Sequence, residues 1–285
     1  MSVLRNYFVF AIGISLSVGF CFGKSTDKPN SDKVEGLYEL GLSHYDKGEY
    51  DKAIGYYEKA LTLWLKALDP EHPSVSKIYS NLGVAYRNKG EYDKAIEYYE
   101  KALAIWLKAL GPGHPSVAIT YDNLGLAYHE KGEYDKTFGY YEKALAIRLK
   151  ALASEHPDVG LSYNNIGGVY SDKGEYDKAI GYYEKAQAIQ LKKLGSEHPL
   201  VATTYGNLGL AYADKGEYDK AIGYSASALA IRLKALGSEH PYVGLSYNNL
   251  GLAYHKKGEY DKAIGYYEKA LAIQLKVLGS EHPDV

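Results

Sequence analysis

The string Lys-Gly-Glu-Tyr-Asp-Lys begins at Lys47, Lys89, Lys131, Lys173, Lys215 and Lys257, and a His-Pro pair recurs at His72, His114, His156, His198, His240 and His282. Each step is 42 residues, and six such units account for residues 34–285 of the 285-residue chain. No segment of that span is left over to house a different domain. A unit this short cannot bury an apolar face alone, so the period implies supersecondary units stacked on their neighbours. Division by a typical domain of about 150 residues would suggest one or two globular domains; the period replaces that default with a single repeat array.

Within one unit the apolar spacing is helical. In the second copy Ile78, Leu82, Ala85 and Tyr86 recur at intervals of three and four residues, as do Tyr92, Ala95, Tyr99, Ala102, Leu103, Leu107 and Leu110. This predicts two amphipathic helices near 73–89 and 92–110. Pro73 suits the first turn of the first helix, where its missing N–H is not needed. Gly90 is placed to end that helix in the left-handed conformation, which makes the loop tight and the helices antiparallel. Gly83 and Ala95 put almost no side chain where the two helices approach most closely, leaving tyrosines to fill the flanking space. The 31 Tyr, against 5 Phe and 2 Trp, reflect five tyrosine positions of this hairpin copied along the chain.

Tyr79, Leu82-Gly83, Tyr86, Ala95, Tyr99 and Ala102 resemble the aromatic, Leu-Gly, Tyr, Ala, aromatic and Ala signature of the tetratricopeptide repeat (TPR). The usual repeat has 34 residues. The 42-residue length here, Asn248-Asn249-Leu250-Gly251 and the run from Leu278 to Val285 are similar to the repeats of kinesin light chain. The resemblance implies an all-α fold, a right-handed superhelical solenoid of six TPR helix-turn-helix repeats, with the first helices lining a concave face. Kinesin light chain also carries a heptad coiled coil, for which this chain has no counterpart, so the resemblance supports the fold and not the motor role. Some copies depart from the pattern. The first has Glu39 and His44 where later copies have Asn and Tyr, the third has Thr137-Phe138 for Ala-Ile, and the fifth has Tyr224-Ser225-Ala226-Ser227 for Tyr-Tyr-Glu-Lys. Loss of a core aromatic should make the fifth copy the weakest inner link.

Residues 1–23 read as a signal peptide or short membrane anchor: Arg5 precedes sixteen uncharged residues, Tyr7 to Phe22, fewer than the about 20 a membrane span requires. Residues 24–33 read as a polar linker, and residues 34–285 as the repeats. Cleavage would place the protein in a secreted, periplasmic or lumenal setting; the alternatives are a membrane-anchored or cytoplasmic protein, with membrane contact only if the leader is retained.

Composition narrows the chemistry. Lys+Arg 33 against Asp+Glu 35 gives a net charge of −2, which offers no basic footprint for nucleic acid. The single Cys, Cys21, lies in the leader and supports neither a disulfide framework nor a cysteine-rich zinc module. There is no phosphate-binding glycine loop, GxSxG or HExxH string, so no catalytic residue, metal ligand or cofactor is assigned. Equivalent His-Pro histidines should stand at least one helix layer apart, on the order of 8–10 Å, whereas a zinc ligand lies about 2 Å from its ion. They read instead as loop residues entering helix N-termini.

The candidate binding residues are Asn81, Asn123, Asn165, Asn207 and Asn249, each one residue before the Leu-Gly or Ile-Gly pair. An amide carries donors and an acceptor, so a ladder of them suits the backbone of an extended peptide; matching asparagines of kinesin light chain-like repeats are implied to do this. The alternative is that each bonds a neighbouring repeat and stiffens the stack. On the same helix face, Lys77 and Asn88, then Leu126 and Glu130, Asp172, Leu210 and Asp214, and Leu252 and Lys256 vary between copies and would set specificity, with Arg87 and His129 at the rim. This predicts a half-apolar groove, acidic in the middle and basic toward both ends. The carboxylate-clamp pattern of chaperone-binding TPR domains is absent, since Leu126 and Leu210 occupy the positions of its Asn. The expected partner is a protein or extended peptide, in a scaffold or adaptor role. A structural array that self-associates through an uncapped last repeat, with Leu271, Leu275 and Leu278 exposed, is the alternative.

Overall fold

A computed structural model describes residues 31–67 and 70–278. The expected leader, and the last His-Pro pair, lie outside the described residues. Twelve helices follow one another among the described residues: α1 Ser31–Asp46, α2 Tyr50–Ala67, α3 Pro73–Asn88, α4 Tyr92–Leu110, α5 Pro115–Glu130, α6 Tyr134–Ala151, α7 Pro157–Asp172, α8 Tyr176–Leu194, α9 Pro199–Lys215, α10 Tyr218–Leu236, α11 Pro241–Lys257 and α12 Tyr260–Leu278. The first helix begins at Ser31, inside the span read as linker. The second-copy pair, α3 and α4, matches the predicted 73–89 and 92–110 to within a residue. None of the described helices is long and apolar enough to cross a membrane.

The hairpins group into two compact units, one holding α1–α6 and the other α7–α12. In each unit every odd-numbered helix packs against the even-numbered helix that follows it, and the second helix of one hairpin packs on the first helix of the next: α2 on α3 and α4 on α5 in one unit, α8 on α9 and α10 on α11 in the other.

Local chemistry sets the helix boundaries. His72 is extended, and its Nδ1 accepts from the Ser74 backbone N–H at 3.2 Å. His114, His156, His198 and His240 do the same for the residue two further on, at 3.1–3.2 Å. Proline follows as the first helical residue, so the pair supplies both an acceptor for an orphan N–H and a residue that lacks one. The histidines the sequence left as loop residues are therefore helix N-caps. At the other end of the first helix, Gly90 takes φ +78°, and the Glu91 N–H reaches back to the Tyr86 carbonyl at 2.9 Å; the remaining hairpins turn in the same way.

The Lys-Gly-Glu-Tyr-Asp-Lys string does more than turn the chain. Lys89 Nζ lies 2.6 Å from Asp51, in the string of the preceding repeat, and 2.7 Å from Glu91 of its own. Lys131 joins Asp93 and Glu133 likewise in the first unit, as Lys215 joins Asp177 and Glu217, and Lys257 joins Asp219 and Glu259, in the second. Within each unit, successive repeats are thus tied together through the motif that recurs. These pairs are solvent-exposed, so each adds little by itself.

The core is aromatic and tightly spaced. Tyr57, Tyr99, Tyr141 and Tyr183 are almost fully buried, and each lies against the Leu-Gly or Ile-Gly glycine of its own repeat. A Cβ on Gly83 would stand 2.5 Å from Tyr99 Cε1, and one on Gly167 would stand 2.7 Å from Tyr183 Cε1. The glycine is therefore the seat of the tyrosine ring, which lies over it and not only in the space flanking Gly83 and Ala95. A second tyrosine of the second helix stacks on the first helix, as Tyr98 does on Tyr86 at 5.4 Å and Tyr182 on Tyr170 at 5.4 Å. In the first copy His44 replaces the first-helix tyrosine and keeps the geometry, stacking on Tyr56 at 5.1 Å and 5°. In the fifth copy Ser225 stands where the buried ring would be; it is 1% exposed, and its hydroxyl has no partner among the described residues.

Candidate functional site

The asparagines and their neighbours sit on the first helices of each repeat, and each unit carries its own set. In the first unit α3 and α5 present Lys77, Asn81, Arg87 and Asn88, then Asn123, Leu126, His129 and Glu130. Asn81 is half-buried, and its Nδ2 donates to the Tyr38 hydroxyl of the preceding repeat at 2.8 Å. Asn88 Nδ2 donates to the Tyr45 hydroxyl at 2.6 Å, and Arg87 Nη2 to Asn88 Oδ1 at 2.9 Å. Arg87 Nε lies 4.0 Å from Glu130, and burial raises the Glu130 carboxyl above the usual carboxylate range despite that arginine. His129 packs edge-on against Tyr134 at 5.7 Å. Asn81, Asn88, Arg87 and Glu130 thus link side chains of successive repeats. Leu126, expected as a contact residue, is only 7% exposed and belongs to the packed interior, because its position faces inward in α5.

In the second unit α7, α9 and α11 present Asn165, Asn207 and Asn249. Asn165 and Asn207 are half-buried and make no hydrogen bond among the described residues, whereas Asn249 is 8% exposed. Asp214 and Lys256, read as unlike charges in separate parts of a groove, form an ion pair at 2.6 Å. That pair removes part of the expected charge pattern. Asp172, Leu210, Leu252 and Lys77 are half-buried, so each keeps a partly exposed surface.

One polar system escaped the sequence reading. Asn164 Nδ2 donates to Thr204 Oγ1 at 2.6 Å, and Thr204 Oγ1 lies 2.6 Å from Gln190 Oε1, all three being buried. Gln190 belongs to a series read at 42-residue steps: Trp64, Trp106, Arg148, Gln190, Arg232 and Gln274. Arg148 is buried and lies 2.5 Å from Asp122. The exchange of Trp for Arg or Gln at one place in the apolar stripe was visible in the aligned copies. A polar residue inside a helix stripe must find a partner or a ligand.

No group of histidine, cysteine, aspartate and glutamate side chains among the described residues is arranged to hold a metal ion. The arrangement instead offers amides, a few charges and apolar shoulders along helix faces.

A tetratricopeptide repeat model matches residues 34–88, 74–150, 117–192, 158–234 and 200–276. No curated protein matches the chain. Among solved structures, the nearly identical, kinesin light chain-type TPR-like repeats of Podosopora anserina are 32% identical over 73% of this chain and 99% of that one, with a TM-score of 0.59. BtubC (BKLC) from P. vanneervenii is 23% identical over 90% of this chain and 95% of that one, with a TM-score of 0.63, a likeness of fold alone. Twelve consecutive helices, glycine-seated tyrosines in the repeated hairpins and a family match over most of the repeat region lead to one conclusion: the chain belongs to the tetratricopeptide repeat family.

Proposed function

We propose that this protein is an interaction scaffold that holds an extended peptide or protein segment along the faces of its first helices. TPR folds commonly serve as protein–protein interaction scaffolds. The observation that carries the reading is the pair Asn165 and Asn207, two half-buried amides at equivalent places in adjacent repeats whose side chains make no hydrogen bond among the described residues. Such amides offer donors and acceptors to a peptide backbone. Asn81, by contrast, is bonded to Tyr38 and serves the stack. Leu210 and Leu252 supply apolar contacts, Asp172 and the Asp214–Lys256 pair polar ones. If residues 1–23 are a cleaved leader, the scaffold works outside the cytosol, which N-terminal sequencing of the expressed protein tests.

Affinity capture on the full chain, with bound proteins identified by mass spectrometry, supplies the ligand. Replacing Asn165 and Asn207 by Ala should then weaken a captured peptide by about 1 kcal/mol or more per lost bond while the melting temperature stays nearly constant. A large loss of thermal stability with unchanged affinity would assign both amides to the stack instead. A second reading rests on α12, where Tyr260, Ile264, Leu271 and Leu275 are exposed at 59, 54, 41 and 40%, while the equivalent Ile96 and Ile180 of inner repeats are exposed at 8 and 7%. An apolar face of this kind favours association of two copies. Light scattering would show it as a dimer that Ile264→Glu returns to monomer.

A further inference from the structure

Helices α1 and α12 each expose one side of a contact that the inner repeats make again and again. Between neighbouring repeats an isoleucine of a second helix and a leucine 28 residues on, in the next first helix, are buried in one cluster: Ile54 with Leu82 and Ile96 with Leu124 in the first unit, Ile180 with Leu208 in the second. In α12 the equivalent isoleucine, Ile264, is exposed, and in α1 the equivalent leucine, Leu40, is 45% exposed where Leu82, Leu124, Leu208 and Leu250 are fully buried. The polar contacts between repeats stand open at the same two places. Lys89 pairs with Asp51 of the preceding repeat, and Lys257 with Asp219; the corresponding Lys47, in the turn after α1, and Asp261, in α12, are exposed and have no ion-pair partner among the described residues. The Tyr86 hydroxyl donates to Glu58 of the preceding repeat at 3.2 Å, and the corresponding residues are His44 in α1 and the exposed Glu268 in α12. Asp214 pairs with Lys256 one repeat on, and the same step from Lys256 would reach the place of Asp46.

We propose that α12 docks on α1 of a second copy of this chain, in the register that joins neighbouring repeats. Leu40 of one copy then covers Ile264 of the other, Lys47 meets Asp261, His44 meets Glu268 and Asp46 meets Lys256, with no like charges opposed. Burial of the two apolar side chains drives the contact, while the exposed charge pairs add little affinity and select register and partner. Lys33, Gly36 and Ser43 of α1 stand where α3 has Val75, Ile78 and Ala85, so the apolar contact is smaller than an inner one and the association depends on concentration. The two faces differ, so each added copy brings a fresh α1 or α12 and growth passes the dimer. This inference rests on the reading of α12 as a surface for association between copies and names the face that it meets.

Sedimentation velocity on the full chain, from micromolar to millimolar concentration, tests the docking. The average mass should climb past that of two copies, and Leu40→Glu and Ile264→Glu, both at exposed positions, should each raise the concentration required by about tenfold or more. The decisive measurement mixes the two variants. The Leu40→Glu chain keeps an intact α12 and the Ile264→Glu chain an intact α1, so an equal mixture should form a one-to-one complex that neither forms alone and that grows no further. If either variant does not fold, Lys47→Glu and Asp261→Lys take their place: each alone opposes like charges and should weaken association by about threefold, and mixing them restores opposite charges at the joint. Association that survives Leu40→Glu, stops at two copies and gains nothing on mixing assigns α12 to a symmetric contact with another α12; it overturns the docking on α1 and leaves the association reading intact. Growth indifferent to every one of these substitutions overturns the docking as well, and a chain that stays monomeric at all concentrations refutes both.

Discussion

The packing of a tyrosine on a glycine can be tested by making the same substitution at two glycines of one repeat. Gly167 and Gly181 lie inside α7 and α8, so changing either to Ala gains about 1 kcal/mol of helix propensity. Nothing lies within 4 Å of a Cβ at Gly181, and repeat two carries Glu97 at that register, so Gly181→Ala should be stabilising by that amount. A Cβ at Gly167 would stand 2.7 and 2.8 Å from Tyr183 Cε1 and Cδ1 and 3.2 Å from the Ala179 carbonyl oxygen. Carbon atoms in contact prefer about 3.5–4.0 Å, so roughly 1 Å must be found between a ring that is 1% exposed and the backbone beneath it. Overpacking of this kind costs about 1–3 kcal/mol. Gly167→Ala should therefore fall below Gly181→Ala by that amount, a gap of about 2–12 °C in melting temperature for a protein of this size. Urea denaturation followed by far-ultraviolet circular dichroism measures both. In a Tyr183→Ala background only the 3.2 Å approach to the Ala179 carbonyl remains, and Gly167→Ala should recover most of its gap to Gly181→Ala, with the cycle isolating the ring contact. Equal stabilisation by the two substitutions in the wild-type background would refute the assignment.

Three further outcomes are expected. Ser225→Ala removes a buried hydroxyl that has no partner among the described residues and should raise stability by about 1 kcal/mol; faster amide exchange in α9 and α10 than in α7 and α8 would mark the fifth repeat as the weaker one, and equal exchange would contradict that. His198→Ala removes the cap on the Leu200 N–H and should cost about 1 kcal/mol while His198→Asn retains most of it; a melting curve unchanged by the Ala substitution would show that the cap contributes nothing. Lysine hydrogen bonds hold Glu133, Glu217 and Glu259 below the usual carboxylate range, from Lys136 and Lys131, Lys215 and Lys220, and Lys262 and Lys257 respectively, and Lys52 and His44 bring Glu49 down to about 2. A carboxyl whose pKa is lower folded than unfolded stabilises the fold above its unfolded value and loses that contribution as pH falls through the folded value. The melting temperature should therefore drop from pH 5 toward pH 2, less steeply in added salt, and a level profile over that range would remove the ion-pair ladder from the stability of the stack.

Much of the fold was legible because its signals act within one turn of a helix. His72-Pro73 caps and opens α3 through atoms two residues apart, Gly90 closes it through its own φ, and the three- and four-residue spacing of Leu82, Ala85 and Tyr86 defines the buried stripe. The small residues at 83 and 95 mark where the helices approach, though not that the Tyr99 ring covers Gly83. The candidate site was less legible for the complementary reason. Asn81 and Asn165 look alike in sequence, yet Asn81 is taken by Tyr38 from 43 positions away, while Asn165 has no hydrogen-bonding partner among the described residues. Asp214 and Lys256 neutralise each other across 42 residues, and Leu126 turns inward.

What the sequence by itself determined about this protein is the repeat, the helix boundaries and the small residues where the helices approach, since local backbone sterics and helical periodicity decide them. Only the tertiary structure decided which polar groups are spent between repeats and which are left without a partner among the described residues. A guanidinium is satisfied by whatever side chain the neighbouring helix brings alongside it: Asp122 pairs with Arg148, whereas Arg232, with Gly206 at the Asp122 register, turns to Ser246 and the Tyr242 carbonyl.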